Sequence, residues 1–176
     1  DIFDAVAANN FIIMLRTSVD GIFGMIGNHE WTYYRDNPFW TLVTDIKSPR
    51  IQAVKNRVWQ PKGRFSVIDV VDEHVDGEVR FIYNHYGVPI TRPQIDGKIN
   101  IGLFHVDLYA KKIVEDMERK LGLDIFEHSP VYFDGSGVLR GYDYAHLGHM
   151  HMLYGRYKYK DDETGFITNL QYLSTT

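Results

Sequence analysis

The chain has 176 residues, 44% of them hydrophobic and 24% charged, enough for one domain with a substantial core. A net charge of −4 argues against nucleic-acid binding through bulk charge, while leaving room for a local basic strip or bound cations to reverse the field at a site. The absence of Cys excludes disulfides and thiolate metal sites, and no apolar run approaches the roughly 20 residues needed to span a bilayer.

No secretory signal is visible at the start, which reads Asp1-Ile2-Phe3-Asp4 without an initiator Met. With an end at Leu173-Ser174-Thr175-Thr176, straight out of a strand-like stretch, the chain reads as an internal piece of a longer protein. No repeat, low-complexity tract or linker interrupts it, so residues 1–176 are expected to form a single domain. Residues 9–19 are apolar enough for a buried helix, and residues 21–26 form a short apolar run between glycines, a buried strand ending at Gly27. Asn37-Pro38 marks a turn or helix start. Residues 64–71 and 78–83 are rich in strand formers, with Asp76-Gly77 between them as a hairpin signal. A further strand, 98–104, runs directly into His105. Leu108, Ala110, Ile113, Val114, Met117 and Leu121 then recur at helical spacing, and Gly122 comes next as a C-cap, which predicts a helix over 107–121. Residues 143–147 form a short strand leading into Gly148-His149-Met150-His151. Residues 154–160 and 166–173 alternate around Asp161-Asp162-Glu163-Thr164-Gly165, a second hairpin. Mixed strands and helices with hairpins late in the chain indicate a layered α/β fold.

The chemistry concentrates where predicted strands give way to loops. Asp1, Asn28, His29, His105, His149 and His151 are hard or borderline metal ligands or candidate acids, a donor set without thiolate that suits manganese, iron or zinc. Two His separated by one residue diverge on a strand but can converge in a tight loop after Gly, so His149 and His151 fit two neighbouring ions; they also fit surface or packed histidines. Asn28 offers a carbonyl oxygen to a hard cation, and His29 beside it is placed to protonate a leaving alkoxide. Asp4 is a candidate to orient His29 and raise its proton affinity. His74 and His128 read as exposed, His85 as a loop residue that could also approach the site, and His146 as packed or supporting a ligand. Trp31, Tyr33, Tyr34 and Arg35 fit either base stacking or packing under a loop. Lys62, Arg64, Arg156, Lys158 and Lys160 fit either phosphate contacts or a solvated face.

Asp-x-x-Asp, Gly-Asn-His-Glu, a strand-terminal His and Gly-His-x-His occur in that order from Asp1 to His151. This series resembles the calcineurin-like metallophosphoesterase superfamily. The usual first motif, Asp-x-His, is absent, as is the Gly that normally precedes the second. Residues 143–151, the opening Asp1-Ile2-Phe3-Asp4 and the closing Gln171-Tyr172-Leu173-Ser174-Thr175 are most similar to the nuclease subunits of SbcCD-type DNA repair exonucleases, bacterial or phage.

The resemblance implies a layered α/β/β/α sandwich lacking its first strand or strands. It implies two divalent ions, manganese first and Fe²⁺, Zn²⁺ or Mg²⁺ as alternatives, about 3.5–4 Å apart. Asp1 would bridge them, Asn28, His105 and His149 would complete the second ion's shell, and His151 would bind the first. His29 would act as the general acid with Asp4 behind it. Without Asp-x-His, one ion is expected to be well held and the other weakly. The implied activity is phosphodiester hydrolysis by a DNA exo- or endonuclease, in the cytoplasm or on the nucleoid. The implied partners are DNA, an SbcC-type ATPase subunit and a second copy of the chain, with no membrane. A small-molecule phosphodiesterase or phosphatase of the same superfamily, and a catalytically incomplete domain kept for partner binding, are the competing readings.

Overall fold

A computed structural model describes residues 22–28, 43–52, 68–110, 115–116, 118–120, 122, 132–133, 137–149 and 155–173. It is a mixed α/β fold with few helices, and the chain divides into two compact units, residues 1–72 with 85–88, and residues 73–84 with 89–176.

In the first unit, β1 (Ile22–Gly24), β2 (Val43–Ile46) and β3 (Ile68–Val70) form a parallel sheet in the order β1-β3-β2. Ile26, Ile46, Ile51, Ile68 and Val70 are buried here. Short helix α1 (Pro49–Gln52) begins at Ser48, whose Oγ accepts a hydrogen bond from the Ile51 amide at 3.0 Å, an N-cap that satisfies an otherwise orphan donor. The Ser48 hydroxyl in turn donates to Asp72.

The second unit is built on a six-stranded sheet of β4 (Glu73–Asp76), β5 (Val79–Asn84), β6 (Ile99–Phe104), β9 (Tyr144–Leu147), β10 (Gly155–Lys160) and β11 (Ile167–Tyr172). Its order is β10-β11-β9-β6-β5-β4: four central parallel strands, with β4 and β10 added antiparallel at the two edges. The two edges are hairpins closed at the two expected turns. At Asp76-Gly77 the glycine takes φ 58°, as a tight turn requires. At the other, the Asp161 carboxylate accepts from the Thr164 amide and hydroxyl, both at 2.7 Å, and from the Glu163 amide at 3.1 Å. Those Thr164 hydrogen bonds, with the Arg140 guanidinium beside them, hold the Asp161 carboxyl below the ordinary carboxylate range. The first arm of the Asp76-Gly77 hairpin is β4 itself; β3 belongs to the other sheet, so the predicted 64–71 strand does not pair across that turn.

Side chains alternate across the six-stranded sheet. One face carries Ile82, Phe104, Ala145, Leu147, Leu170 and Tyr172 into the core, joined by Leu108, Tyr109, Leu139 and Tyr142 from flanking segments. Gly102 lies in this face because a Cβ there would collide with the Phe104 ring and stand 2.7 Å from Tyr142 Cε1. Buried Asn84 donates to the Tyr142 hydroxyl at 3.1 Å, and that hydroxyl donates to the Thr91 carbonyl at 2.5 Å.

The predicted helix over 107–121 is corrected at its start. Leu108–Tyr109 form β7, a short parallel ladder with β8 (Tyr132–Phe133). Glu115, Asp116 and residues 118–120 are helical, and Gly122, at φ 64°, donates its N–H to the Glu118 carbonyl as a C-cap should. Two apolar residues entering a pairing with a distant strand win over their fit to a helical period. The expectations for residues 9–19 and Asn37-Pro38 lie outside the described residues.

Candidate functional site

Parallel strands β6 and β9 are neighbours, with Phe104 opposite Leu147, so their carboxyl ends finish side by side. This register brings the residues just beyond each strand into the same neighbourhood. His105 is the first residue beyond β6, and Gly148-His149 the first two beyond β9. The His105 amide donates to the Asn84 carbonyl at 3.1 Å and the Gly148 amide to the Phe104 carbonyl at 2.8 Å, so both loops leave the sheet under backbone control. A Cβ on Gly148 would come within 3.4 Å of the Phe104 carbonyl oxygen and 3.7 Å of His105 Nδ1.

The two imidazoles converge, with ring centroids 5.2 Å apart and planes inclined at 57°. With metal–nitrogen bonds of about 2.1 Å, two imidazoles on one ion place their centroids roughly 4.5–5.3 Å apart. The observed spacing therefore fits two histidines of one ligand set. His149 takes φ 73°, and it alone among the described non-glycine residues has positive φ. A left-handed backbone is uncommon at non-glycine residues, though Asn, Asp and His adopt it more readily than others. Its Nε2 lies 3.0 Å from Oδ1 of Asp107, two residues beyond His105. A carboxylate at the far nitrogen fixes an imidazole's orientation and tautomer and raises its basicity as a ligand. Sequence reasoning misses Asp107; the signal that could have found it is the His105-Val106-Asp107 spacing at a strand end.

Of the other expected site residues, Asn28 is half-buried in the first unit, four residues after β1. Asp1, Asp4, His29 and His151 lie outside the described residues, as do Trp31, Tyr33, Tyr34, Arg35, Lys62, Arg64 and His128. Among the described residues, no group of three or more His, Cys, Asp or Glu is gathered closely enough to hold an ion. Of the expected donors, the structure brings together His105 and His149.

Among the described histidines outside this pair, His74 departs from its expected exposure, while His85 is a loop residue, as expected, and is fully buried in the first unit. Its Nδ1 accepts from the Ile26 amide at 3.1 Å and its Nε2 lies 3.0 Å from the Val71 carbonyl. Asp72 stands 3.5 Å from the same Nε2. Burial pushes the Asp72 carboxyl up, but hydrogen bonds to His85 and Ser48 outweigh it and leave the group below its usual range. His74 is half-buried and stacks on Phe81, and His146 is half-buried on the sheet face opposite the core.

Fold and site together define a mixed α/β protein with a paired-imidazole centre at the carboxyl edge of a parallel sheet, where α/β proteins gather their ligands. No family model matches the chain, nor does any curated protein or solved structure. No helix among the described residues is long and apolar enough to cross a membrane.

Proposed function

We propose that the chain is a metal-dependent phosphodiesterase of the calcineurin-like kind, built as a layered α/β/β/α sandwich, and that its substrate is DNA. The observation that carries this reading is the convergence of His105 and His149 from adjacent strand ends, with His149 in a left-handed backbone and Asp107 against its far nitrogen. That combination suits a ligand pair. The order of the flanking motifs supports the same class.

In this reading His105 and His149 hold a divalent ion, manganese first. By the resemblance, Asn28 would join the same shell, Asp1 would be shared by two ions and His151 would hold the other. Divalent ions there would supply charge neutralisation at phosphate and a nucleophilic water near neutral pH. Asp107 keeps the His149 ring turned toward the centre. By the resemblance, His29 would donate the proton that the leaving oxygen needs, with Asp4 behind it. An SbcC-type ATPase and a second copy of the chain are the partners that go with a DNA nuclease of this kind.

The test compares Mn²⁺-dependent degradation of linear DNA with hydrolysis of bis(p-nitrophenyl) phosphate, using the protein and its His105→Ala and His149→Ala variants. Cleavage of both substrates, lost in each variant, is expected. Activity confined to the small ester moves the substrate to small phosphodiesters, and no turnover of either with Mn²⁺ bound refutes a hydrolase.

A further inference from the structure

The face of the six-stranded sheet turned away from the core is polar at its β9-β11-β10 end. Register and alternation place Lys158, Asn169 and Tyr144 in one row across these strands, and Arg156, Gln171 and His146 in the next. These six side chains line a groove of about 510 Å³. Tyr144 is 45% exposed, well above what a core-facing aromatic shows. Arg156 and Lys158 are exposed on edge strand β10, and Lys160 continues the series at the next alternate position. Among the described residues none of the three meets a carboxylate, whereas Arg80 and Arg140 are each paired with two. The row is thus positive charge without an ion-pair partner among the described residues, in a chain of net charge −4.

Alternate residues of a strand are about 6.8 Å apart, a spacing close to that of successive phosphates along an extended nucleic-acid strand. β9 lies two strands from β10, about 10 Å away, which is the reach from a phosphate to the far part of its own base. Between them Asn169 and Gln171 offer amide donors and acceptors to base edges, with Asn169 steadied by its bond to the Asp143 carbonyl at 3.0 Å. We infer that this groove binds single-stranded nucleic acid, the β10 cations following the backbone and the Tyr144 ring stacking on a base. An exposed aromatic flanked by a cationic track is the combination such strands use. The inference deepens the nuclease reading and rests on it for the choice of nucleic acid over other polyanions. The site itself needs no metal.

The experiment measures fluorescence anisotropy of a labelled twelve-nucleotide oligo-dT in EDTA, so that hydrolysis and metal binding play no part. Three phosphate contacts predict a slope of log K against log salt of about −2, at roughly −0.7 per contact on a single strand. Arg156→Gln/Lys158→Gln should weaken binding at least tenfold and bring the slope to about −0.7. Tyr144→Ala should weaken binding by roughly 5- to 100-fold. All three positions are on the exposed face, and circular dichroism verifies that the variants fold; the slope of the unaltered protein tests the inference without any variant. No binding, a slope unchanged in the double variant, or no effect of Tyr144→Ala overturns it. So does equal displacement of the oligonucleotide from the original and Tyr144→Ala proteins by polyglutamate, which would identify an acidic peptide as the occupant. Failure here with Mn²⁺-dependent cleavage intact removes the groove but not the hydrolase.

Discussion

His149 is the residue on which the proposed metal centre turns. A left-handed conformation costs an L-residue roughly 1–2 kcal/mol that glycine does not pay. If the backbone at 149 is fixed by the Gly148 turn and the end of β9, then His149→Gly should be more stable than His149→Ala by about 1 kcal/mol, read from urea midpoints. Equal midpoints would mean that the strain is absent. Asp107 makes the complementary prediction: Asp107→Ala should weaken Mn²⁺ affinity about 10- to 100-fold while leaving the ion bound, since it removes a group that orients a ligand and not a ligand. Unaltered affinity would leave Asp107 without a role at the centre. The positions of His105 and His149 were legible in the sequence because one directly follows a recognisable strand and the other comes two residues after the next. The burial of His85 was not, because its partners Ile26 and Val71 lie 59 and 14 positions away and no local pattern marks them.

At the scale of elements, β6 brings His105 to the centre and Gly102 lets it pack. Since a methyl at 102 meets two aromatic rings that are themselves held, Phe104 edge-on to Tyr142 at 5.1 Å and Tyr142 tied to Asn84 and Thr91, the rings have little room to yield. Gly102→Ala should therefore cost about 1–3 kcal/mol of stability in chemical denaturation, and a neutral result would show that the rings repack freely. The opposite end of β5 carries a different fastening. Arg80 sits on the buried side of that strand and reaches Glu73, the Gln94 carbonyl, Asn100 and both oxygens of Asp96, the last at 2.6 and 3.1 Å. The Arg80 hydrogen bond outweighs desolvation and holds the Asp96 carboxyl at about 2, against an ordinary 3.8. A depressed carboxylate contributes stability above its unfolded-state pKa and loses it as pH falls through the folded one. The gap in urea midpoint between the protein and Asp96→Asn should thus be constant above pH 5, shrink below pH 4 and be largely lost by about pH 2. The group is partly exposed, so the gap should be modest and salt-sensitive. A gap that persists undiminished at pH 2 would contradict the pairing. The hairpins could be read from sequence because Asp76-Gly77 and the Asp161 turn are settled by local hydrogen bonding. The start of the 107–121 helix could not, because Leu108–Tyr109 answer to a partner strand more than twenty residues on.

Across the whole molecule, the α/β class is legible in the alternation of strand and helix signals, but the sheet order is not. Nothing local in the chain dictates that β9 inserts between β6 and β11, and it is this insertion that sets His105 beside His149 and exposes the Tyr144 face. The same topology explains how a chain of net charge −4 can present a cationic row on one edge strand. Ligation of one ion by two side chains 44 positions apart has a direct spectroscopic test. Electron spin-echo envelope modulation of bound Mn²⁺ reports the nitrogens coordinated to it. Coupling from at least two imidazoles is expected, with one coupling lost in His105→Ala and another in His149→Ala. A bound Mn²⁺ whose nitrogen couplings are the same in the protein and in both variants would contradict shared ligation by this pair.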